Sequence, residues 1–217
     1  MVSKPRHKPT TAKGASVAPS EANPESWLYL NPAGPNASGL VFGVLRKVYA
    51  GRQNSALEFG WRKAHVGRAA DGGDIFAWSP NVERVEVLLP SGADDALADP
   101  ATLLGRMDES AIDREKALLV YLTLPLADVD RIHIGWERAR SFVRDCIARE
   151  HGLAAMLALH APGRVGSTNP LHAHALIVPR CAAGLGIAHG AYADELIRDS
   201  GQALVEEMWT KHVEAFR

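Results

Sequence analysis

The sequence has 217 residues, of which 47% are hydrophobic and 23% are charged, as is ordinary for a globular protein that buries a core. Its formal net charge of −1 excludes a protein that is basic overall, and its two cysteines, Cys146 and Cys181, exclude a disulfide framework. No apolar run reaches the length of a membrane span, and the N-terminus lacks the apolar stretch of a secretory signal, so we expect a cytoplasmic protein with no membrane partner.

The first half of the chain gives weak signals of secondary structure. Residues 1–24 are rich in Lys, Pro, Ser, Thr and Ala, which predicts a disordered basic tail and leaves residues 25–217 as one domain. Apolar residues over 41–49 fit either a short helix or a short strand. The next predicted elements are a turn at 71–74 (DGGD), strands at 75–78 and 82–89, and an acidic, loop-rich segment at 91–115.

The second half predicts its elements more clearly, because apolar runs alternate with a segment whose apolar residues recur every three or four positions. The predicted elements are a buried strand at 117–124, a helix from Val129 to Gly152, strands at 153–160 and 171–178, and a helix at 191–216. This order of strand, helix, strand, strand and helix predicts an α+β fold, a mostly antiparallel sheet with helices on one face.

Three histidines fall where two predicted strands would bring them together. His172 and His174 flank Ala173, and both imidazoles project together because alternate residues of a strand point to the same side. His160 ends the preceding strand, and a hairpin that pairs the two strands returns it to the other two. Three imidazoles then converge and leave positions open for water or substrate, which is typical of a catalytic metal site.

The histidines also have an ordinary explanation. A single histidine on a strand is usually a surface or core residue, and the pattern His-x-His alone is weak. Two imidazoles beside Leu176 and Ile177 would lose hydration on burial unless they found partners, which favours ligands. The other histidines are assigned structural roles, except that His65 lies in a basic segment where it could contact a phosphate.

Charge is unevenly distributed along the chain. Between residues 40 and 70 basic residues outnumber acidic ones, whereas residues 81–115 are mainly acidic. The basic residues are Arg46, Lys47, Arg52, Arg62, Lys63 and Arg68. Such segregation fits one basic face that contacts a DNA backbone, and it fits two solvated surfaces equally well.

The stretch from Leu118 to Arg180 resembles the core of the MobA/MobL relaxases, plasmid-mobilisation members of the HUH endonuclease superfamily. The matching pieces are a strand ending in LTLP, the helix that follows it, ALHAP, and NPLHAHALIVPR. In that family one strand carries a His, a turn contains Asn-Pro, and the next strand reads His-x-His before an Arg. Here these are His160, Asn169, Pro170, His172, His174 and Arg180. The resemblance implies an HUH relaxase-like fold.

The same resemblance implies an enzyme that binds single-stranded DNA at a plasmid's origin of transfer, together with other mobilisation proteins. A tyrosine would attack one phosphodiester, giving a 5′-phosphotyrosyl link and a free 3′-hydroxyl, while a divalent metal on the three histidines holds the phosphate. Mg or Mn is the metal that the family implies, although three imidazoles would suit Zn at least as well. The resemblance also adds Arg180 to the residues predicted to contact DNA.

The nucleophile is where the chain departs from the family, since little before residue 117 matches it. The family usually places its tyrosine near the N-terminus, in a helical segment rich in Ala and Arg. The chain has four tyrosines, Tyr29, Tyr49, Tyr121 and Tyr192. We predict Tyr49, because Arg46, Lys47 and Arg52 around it would attract a phosphate and favour the tyrosinate.

Two other functions compete with this prediction. A non-catalytic DNA-binding remnant, or an accessory mobilisation protein, would keep the fold without a nucleophile, as the loosely matching N-terminal half allows. An unrelated three-histidine metallohydrolase would need a carboxylate base near the metal, and none is evident beside the His-x-His strand.

Overall fold

The computed structural model describes residues 18–29, 39–67, 74, 77–187 and 190–216. Its strands are β1 (Val41–Leu45), β2 (Val48–Tyr49), β3 (Arg52–Gln53), β4 (Arg84–Leu88), β5 (Leu119–Pro125), β6 (Leu153–His160) and β7 (His172–Cys181). Five of them form a sheet in the order β1-β5-β7-β6-β4, in which every neighbouring pair is antiparallel. β2 and β3 form a separate hairpin. The α+β fold with an antiparallel sheet is thus confirmed.

Helices cover both faces of this sheet. They are α1 (Ala56–Ala64), α2 (Pro100–Ser110), α3 (Ile132–Phe142), α4 (Asp194–Ile197) and α5 (Gly201–Ala215), and a π-helix at Val143–Arg149 continues α3. α1 and α2 pack on one face, whereas α3, its continuation and α5 pack on the other. The prediction of helices on one face is therefore wrong. The three central strands are buried along nearly their whole length, so both of their faces need cover. None of the helices in the described ranges is long and apolar enough to cross a bilayer.

The first half of the chain differs most from the expectation. Residues 41–49 form β1 and the start of the hairpin, and the loop predicted at 91–115 contains α2. That helix begins after Asp99, whose carboxylate accepts a hydrogen bond from the Thr102 backbone N–H at 2.8 Å and so supplies an N-cap. The predicted turn at 71–74 and the start of the strand predicted at 75–78 lie largely outside the described residues, and residues 77–78 are not in a strand.

Residues 18–29 belong to the domain. A 3₁₀ turn at Pro24–Trp27 carries the Trp27 ring into the core, where it is fully buried. The guanidinium groups of Arg52 and Arg62 lie 3.8 Å and 5.5 Å from the centre of that ring. Both arginines also form ion pairs with Glu21. A disordered tail was predicted over residues 1–24, but Ser20 and Glu21 contact the folded domain. Residues 1–17 lie outside the described ranges.

The end of α2 holds the beginning of α1. The Asp108 carboxylate accepts hydrogen bonds from the backbone N–H of Ala56 at 2.7 Å and of Leu57 at 3.0 Å, and from the Ser55 hydroxyl at 2.6 Å. These backbone donors belong to the first turn of α1, which has no intrahelical partners for them and favours a negative charge. Asp108 is therefore expected to set the position of α1 on the sheet.

Replacing Asp108 by Ala should lower the free energy of unfolding by about 3 kcal/mol, because it removes hydrogen bonds to a charged acceptor and leaves first-turn donors unpaired. Urea unfolding followed by circular dichroism would measure the change. Asp113→Ala is the matched control, since the Asp113 side chain is exposed and its ion pair within the described residues is with Lys47 at 3.6 Å, so its loss should leave stability nearly unchanged. Equal stability of the two variants would contradict the prediction.

Candidate metal centre

The three histidines converge on one face of the sheet, where β6 ends and β7 begins. His160 of β6 is paired directly with His172 of β7, and His174 lies two residues further along β7 on the same side. The ring centres are separated by 5.2 Å for His160 and His172, 4.4 Å for His160 and His174, and 4.8 Å for His172 and His174. One nitrogen from each ring lies within 4.8 Å of the others. The three residues could therefore hold a metal ion.

Backbone carbonyls fix the orientation of two of the rings. Nε2 of His160 lies 2.7 Å from the Lys63 carbonyl oxygen, and Nδ1 of His172 lies 2.8 Å from the Pro170 carbonyl oxygen. A carbonyl oxygen can only accept, so each of these nitrogens carries the proton. The lone pair is then on Nδ1 of His160 and on Nε2 of His172. A hydrogen-bonded outer nitrogen of this kind is the usual support of a histidine that binds metal.

The third ring is oriented by side chains of β5. Nδ1 of His174 lies 2.8 Å from the Tyr121 hydroxyl and 3.2 Å from the Thr123 hydroxyl, which leaves its Nε2 for a ligand. The Tyr121 hydroxyl is also 3.0 Å from Oε1 of Glu25, and the same oxygen accepts a hydrogen bond from Lys63 at 3.0 Å. A continuous set of hydrogen bonds thus runs from His174 to a carboxylate.

Burial keeps the imidazoles of His160 and His174 neutral. It lowers the pKa of His160 to about 4 and holds the pKa of His174 well below its usual value, because the charged form of each ring loses hydration. Neutral imidazole is the form that binds metal, so near pH 7 these two rings offer lone pairs without first losing a proton.

The pKa values of Tyr121, Glu25 and Lys63, which lie behind His174, are shifted in different directions. Burial raises the pKa of Tyr121 well above its usual range, and the negative charge of Glu25 adds to that effect. Burial by itself would raise the pKa of Glu25, but the charge of Lys63 and hydrogen bonds from Lys63 and Tyr121 outweigh it, and the net pKa is lowered. Burial lowers the pKa of Lys63, and the Glu25 carboxylate partly offsets this. Glu25 is therefore an anion and Tyr121 a neutral phenol at pH 7.

The structure does not bring Tyr49 together with the histidines. Tyr49 lies in the hairpin that follows β1, beyond the point where Leu45 pairs with Leu119. His172 pairs with Pro125, at the other end of β5. A rise of about 3.3 Å per residue puts those two ends of β5 about 20 Å apart. The predicted role of Tyr49 as nucleophile therefore lacks support from its position.

Among the described residues, Tyr121 is the tyrosine whose hydroxyl forms a hydrogen bond with one of the three histidines. In the sequence it was one of four candidate nucleophiles and was passed over for Tyr49 because its strand was expected to be buried, and its ring is indeed fully buried. Tyr29 pairs through its backbone with Val44 of β1, and the Tyr192 hydroxyl donates a hydrogen bond to the Ala117 carbonyl oxygen at 2.7 Å. Neither lies at the histidine end of β5.

Of the basic residues considered for contact with DNA, Arg68 lies outside the described residues. The other six are held within the chain. The Arg46 guanidinium lies 3.7 Å from the centre of the Tyr29 ring. The other five form ion pairs with carboxylates, namely Lys47–Asp113, Arg52–Glu21, Arg52–Glu58, Arg62–Glu21, Lys63–Glu25 and Arg180–Glu115. A phosphate would have to compete with these carboxylates, so a DNA backbone on these residues stays a prediction.

Sequence reasoning missed Glu25, Tyr121 and Thr123. Tyr121 and Thr123 alternate in β5 on the side of the sheet that carries His174, so the alternation of a strand could have predicted them once β5 was known to pair with β7. Glu25 gave no such signal, because it lies in a segment remote from the strands along the chain.

One solved structure with a similar fold comes from work on the molecular basis of vancomycin resistance transfer in Staphylococcus aureus. The two chains align with a TM-score of 0.50 and 20% sequence identity, over 63% of this chain and 72% of the other. At this identity the likeness shows a shared fold alone. Neither the protein-family models nor the curated proteins that were compared with this chain give a match.

Proposed function

We propose that this protein binds single-stranded DNA during plasmid mobilisation, with a backbone phosphate held at a divalent metal on His160, His172 and His174. The observation that carries the proposal is the convergence of three imidazoles, each of which has one ring nitrogen hydrogen-bonded within the protein. The relaxase-like fold supports DNA transfer as the setting. A cytoplasmic location and contacts with other mobilisation proteins belong to the same proposal.

The chain's own residues would present a set of ligands whose rings are held by hydrogen bonds. A divalent metal bound there would supply a Lewis acid that attracts phosphate oxygens and offsets their charge. His160 is fixed by the end of α1, His172 by the β6–β7 connection, and His174 by β5. Mg or Mn is expected from the resemblance to relaxases, whereas the three nitrogen donors favour Zn on ligand preference.

Cleavage of DNA through Tyr49 stays a prediction, and the alternative has a specific observation in its favour. The Tyr121 hydroxyl is already shared by Glu25, His174 and Thr123, and the other tyrosines lie away from the cluster. A tyrosine nucleophile must reach the phosphate with a free oxygen. Metal-dependent binding without a covalent step, as in an accessory mobilisation protein, is therefore the version of the function that the geometry supports best.

The two versions of the function differ in whether single-stranded DNA becomes covalently attached to the protein. With oligonucleotides tiled across an origin of transfer, we expect a gel shift that requires divalent metal and no adduct that survives denaturant. The matched pair of variants is Tyr49→Phe and Tyr192→Phe, which keep their rings and lose only the hydroxyl. An adduct that forms with the wild type and is lost only in Tyr49→Phe would reinstate the nicking mechanism. A gel shift that persists after a chelator has removed the metal would contradict both versions.

A further inference from the structure

We propose that Glu25 is a positioning residue of the metal centre, which fixes and polarises His174 through the hydroxyl of Tyr121. The proposal rests on the metal-binding function proposed above and adds to it a residue from outside the strands. It also gives a role to the N-terminal segment, defined here as residues 20–28.

Hydrogen bonding assigns a direction to this connection. The Glu25 carboxylate is an anion that can only accept, so the single hydrogen of the Tyr121 hydroxyl is donated to it, across 3.0 Å. The phenol oxygen is then left to accept from Nδ1–H of His174 at 2.8 Å and from the Thr123 hydroxyl at 2.9 Å. Every donor in the chain of contacts points towards Glu25, and Nε2 of His174 keeps its lone pair.

The environment makes this connection stiff. Tyr121 is fully buried and His174 is 3% exposed, so water does not replace either partner. Their rings stack at 5.4 Å between centres, and the Phe59 ring packs edge-on against Tyr121 from the other side. A carboxylate that acts through a hydrogen bond on the outer nitrogen of a ligating histidine orients the ring and strengthens it as a donor. Here the phenol extends the reach of that carboxylate by one group.

Lys63 joins the two halves of the site. Its ammonium group holds Glu25 Oε1, while its backbone carbonyl holds Nε2 of His160. The ammonium also lies 4.9 Å from the centre of the Tyr121 ring. Glu25 is therefore held in place by a residue that already orients one of the proposed ligands.

The competing explanation is that Glu25 merely anchors the N-terminal segment, and the chain offers a matched control for it. Glu21 lies in the same segment and forms ion pairs with Arg52 and Arg62, but none of its described contacts reaches a histidine. Loss of either carboxylate weakens docking of the segment, whereas loss of Glu25 alone removes the acceptor behind Tyr121.

The test is Co²⁺ titration of the full chain carrying Glu25→Gln, Tyr121→Phe or the control Glu21→Gln. Visible absorption reports the ligand field, and competition with a chelator reports affinity. We expect Tyr121→Phe to weaken binding about 10–100-fold, as loss of an outer partner usually does. Glu25→Gln should weaken it in the same direction by less, because Gln can still accept from Tyr121 without the charge. Both should shift the cobalt absorption bands, and Glu21→Gln should change neither.

Each outcome decides a different question. A wild type that binds no Co²⁺ would overturn the proposed function and this inference with it. A wild type that binds, with unchanged affinity and bands in both site variants, would overturn the inference alone. Equal losses in Glu21→Gln and Glu25→Gln would show that docking of the segment matters and not the carboxylate. Thermal unfolding of each variant checks that its fold is intact, and Tyr121→Phe keeps the buried ring.

Discussion

Replacing His172 and His174 together by Ala should abolish stoichiometric uptake of divalent metal while the fold persists. The change leaves His160 as a single donor, and one imidazole does not compete with buffer and water for a metal ion. The fold should survive because the hydroxyl of Tyr121, on losing His174, still donates to Glu25. Elemental analysis after dialysis measures the metal, and circular dichroism checks the fold.

The matched control for this variant is His133→Ala. His133 lies exposed on α3, which packs on the opposite face of the sheet from the cluster. Its loss should leave metal uptake at the wild-type level. Retained uptake in the double variant, or equal loss in the control, would reject the assignment of the three histidines.

Removing the side chain of Trp27 should cost about 3–5 kcal/mol of stability, which is the usual cost of truncating a fully buried tryptophan. The Trp27→Ala variant loses packing against Phe59, the contacts of Arg52 and Arg62 with the ring, and the hydrogen bond from Nε1 to the Ser20 carbonyl oxygen at 2.9 Å. Chemical unfolding measures the change. A loss below about 1 kcal/mol would mean that residues 18–29 contribute little to the fold.

Trp27→Phe separates the contribution of an aromatic ring to stability from the contributions of the indole nitrogen and of the extra volume of Trp27. It keeps an aromatic ring in the core and gives up the indole nitrogen and some volume, so its cost should lie clearly below that of Trp27→Ala. If metal affinity falls in Trp27→Ala and is nearly normal in Trp27→Phe, the docked segment is needed at the metal centre. That result would agree with the role inferred for Glu25.

Local spacing was enough to predict the three histidines and not their surroundings. The side-to-side alternation of a strand places His172 and His174 together, and a short connection returns His160 to them. Tyr121, the hydrogen-bond partner of His174, lies in β5, and Glu25, the partner of Tyr121, lies in the N-terminal segment. The first contact follows from the pairing of β5 with β7, and the second from the packing of a 3₁₀ turn against β5. Both join segments that are distant along the chain, and periodicity within one segment carries no information about them.

Counting charges along the chain leaves out the same long-range contacts. The excess of basic residues over 40–70 suggested a face open to DNA, but charge along the chain does not show which carboxylates fold back onto it. Glu21 lies in the tail that was predicted to be disordered, Glu25 is the first residue after that tail, and the two form ion pairs with Arg52, Arg62 and Lys63. The prediction of helices on one face failed because α2 was assigned to a loop, so the second covered face had no candidate.

The strand order of the sheet has a consequence for how the chain can fold as it is synthesised. β1 and β4, the two strands that the first half of the chain contributes to the five-stranded sheet, lie at its opposite edges, where β1 pairs with β5 and β4 pairs with β6. An N-terminal fragment that ends before β5 therefore has strands with unpaired edges, which are prone to aggregate. The five-stranded sheet can be completed only after residue 181, the end of β7, has left the ribosome. Folding therefore depends on late pairing between distant segments, and the early strands need protection until then.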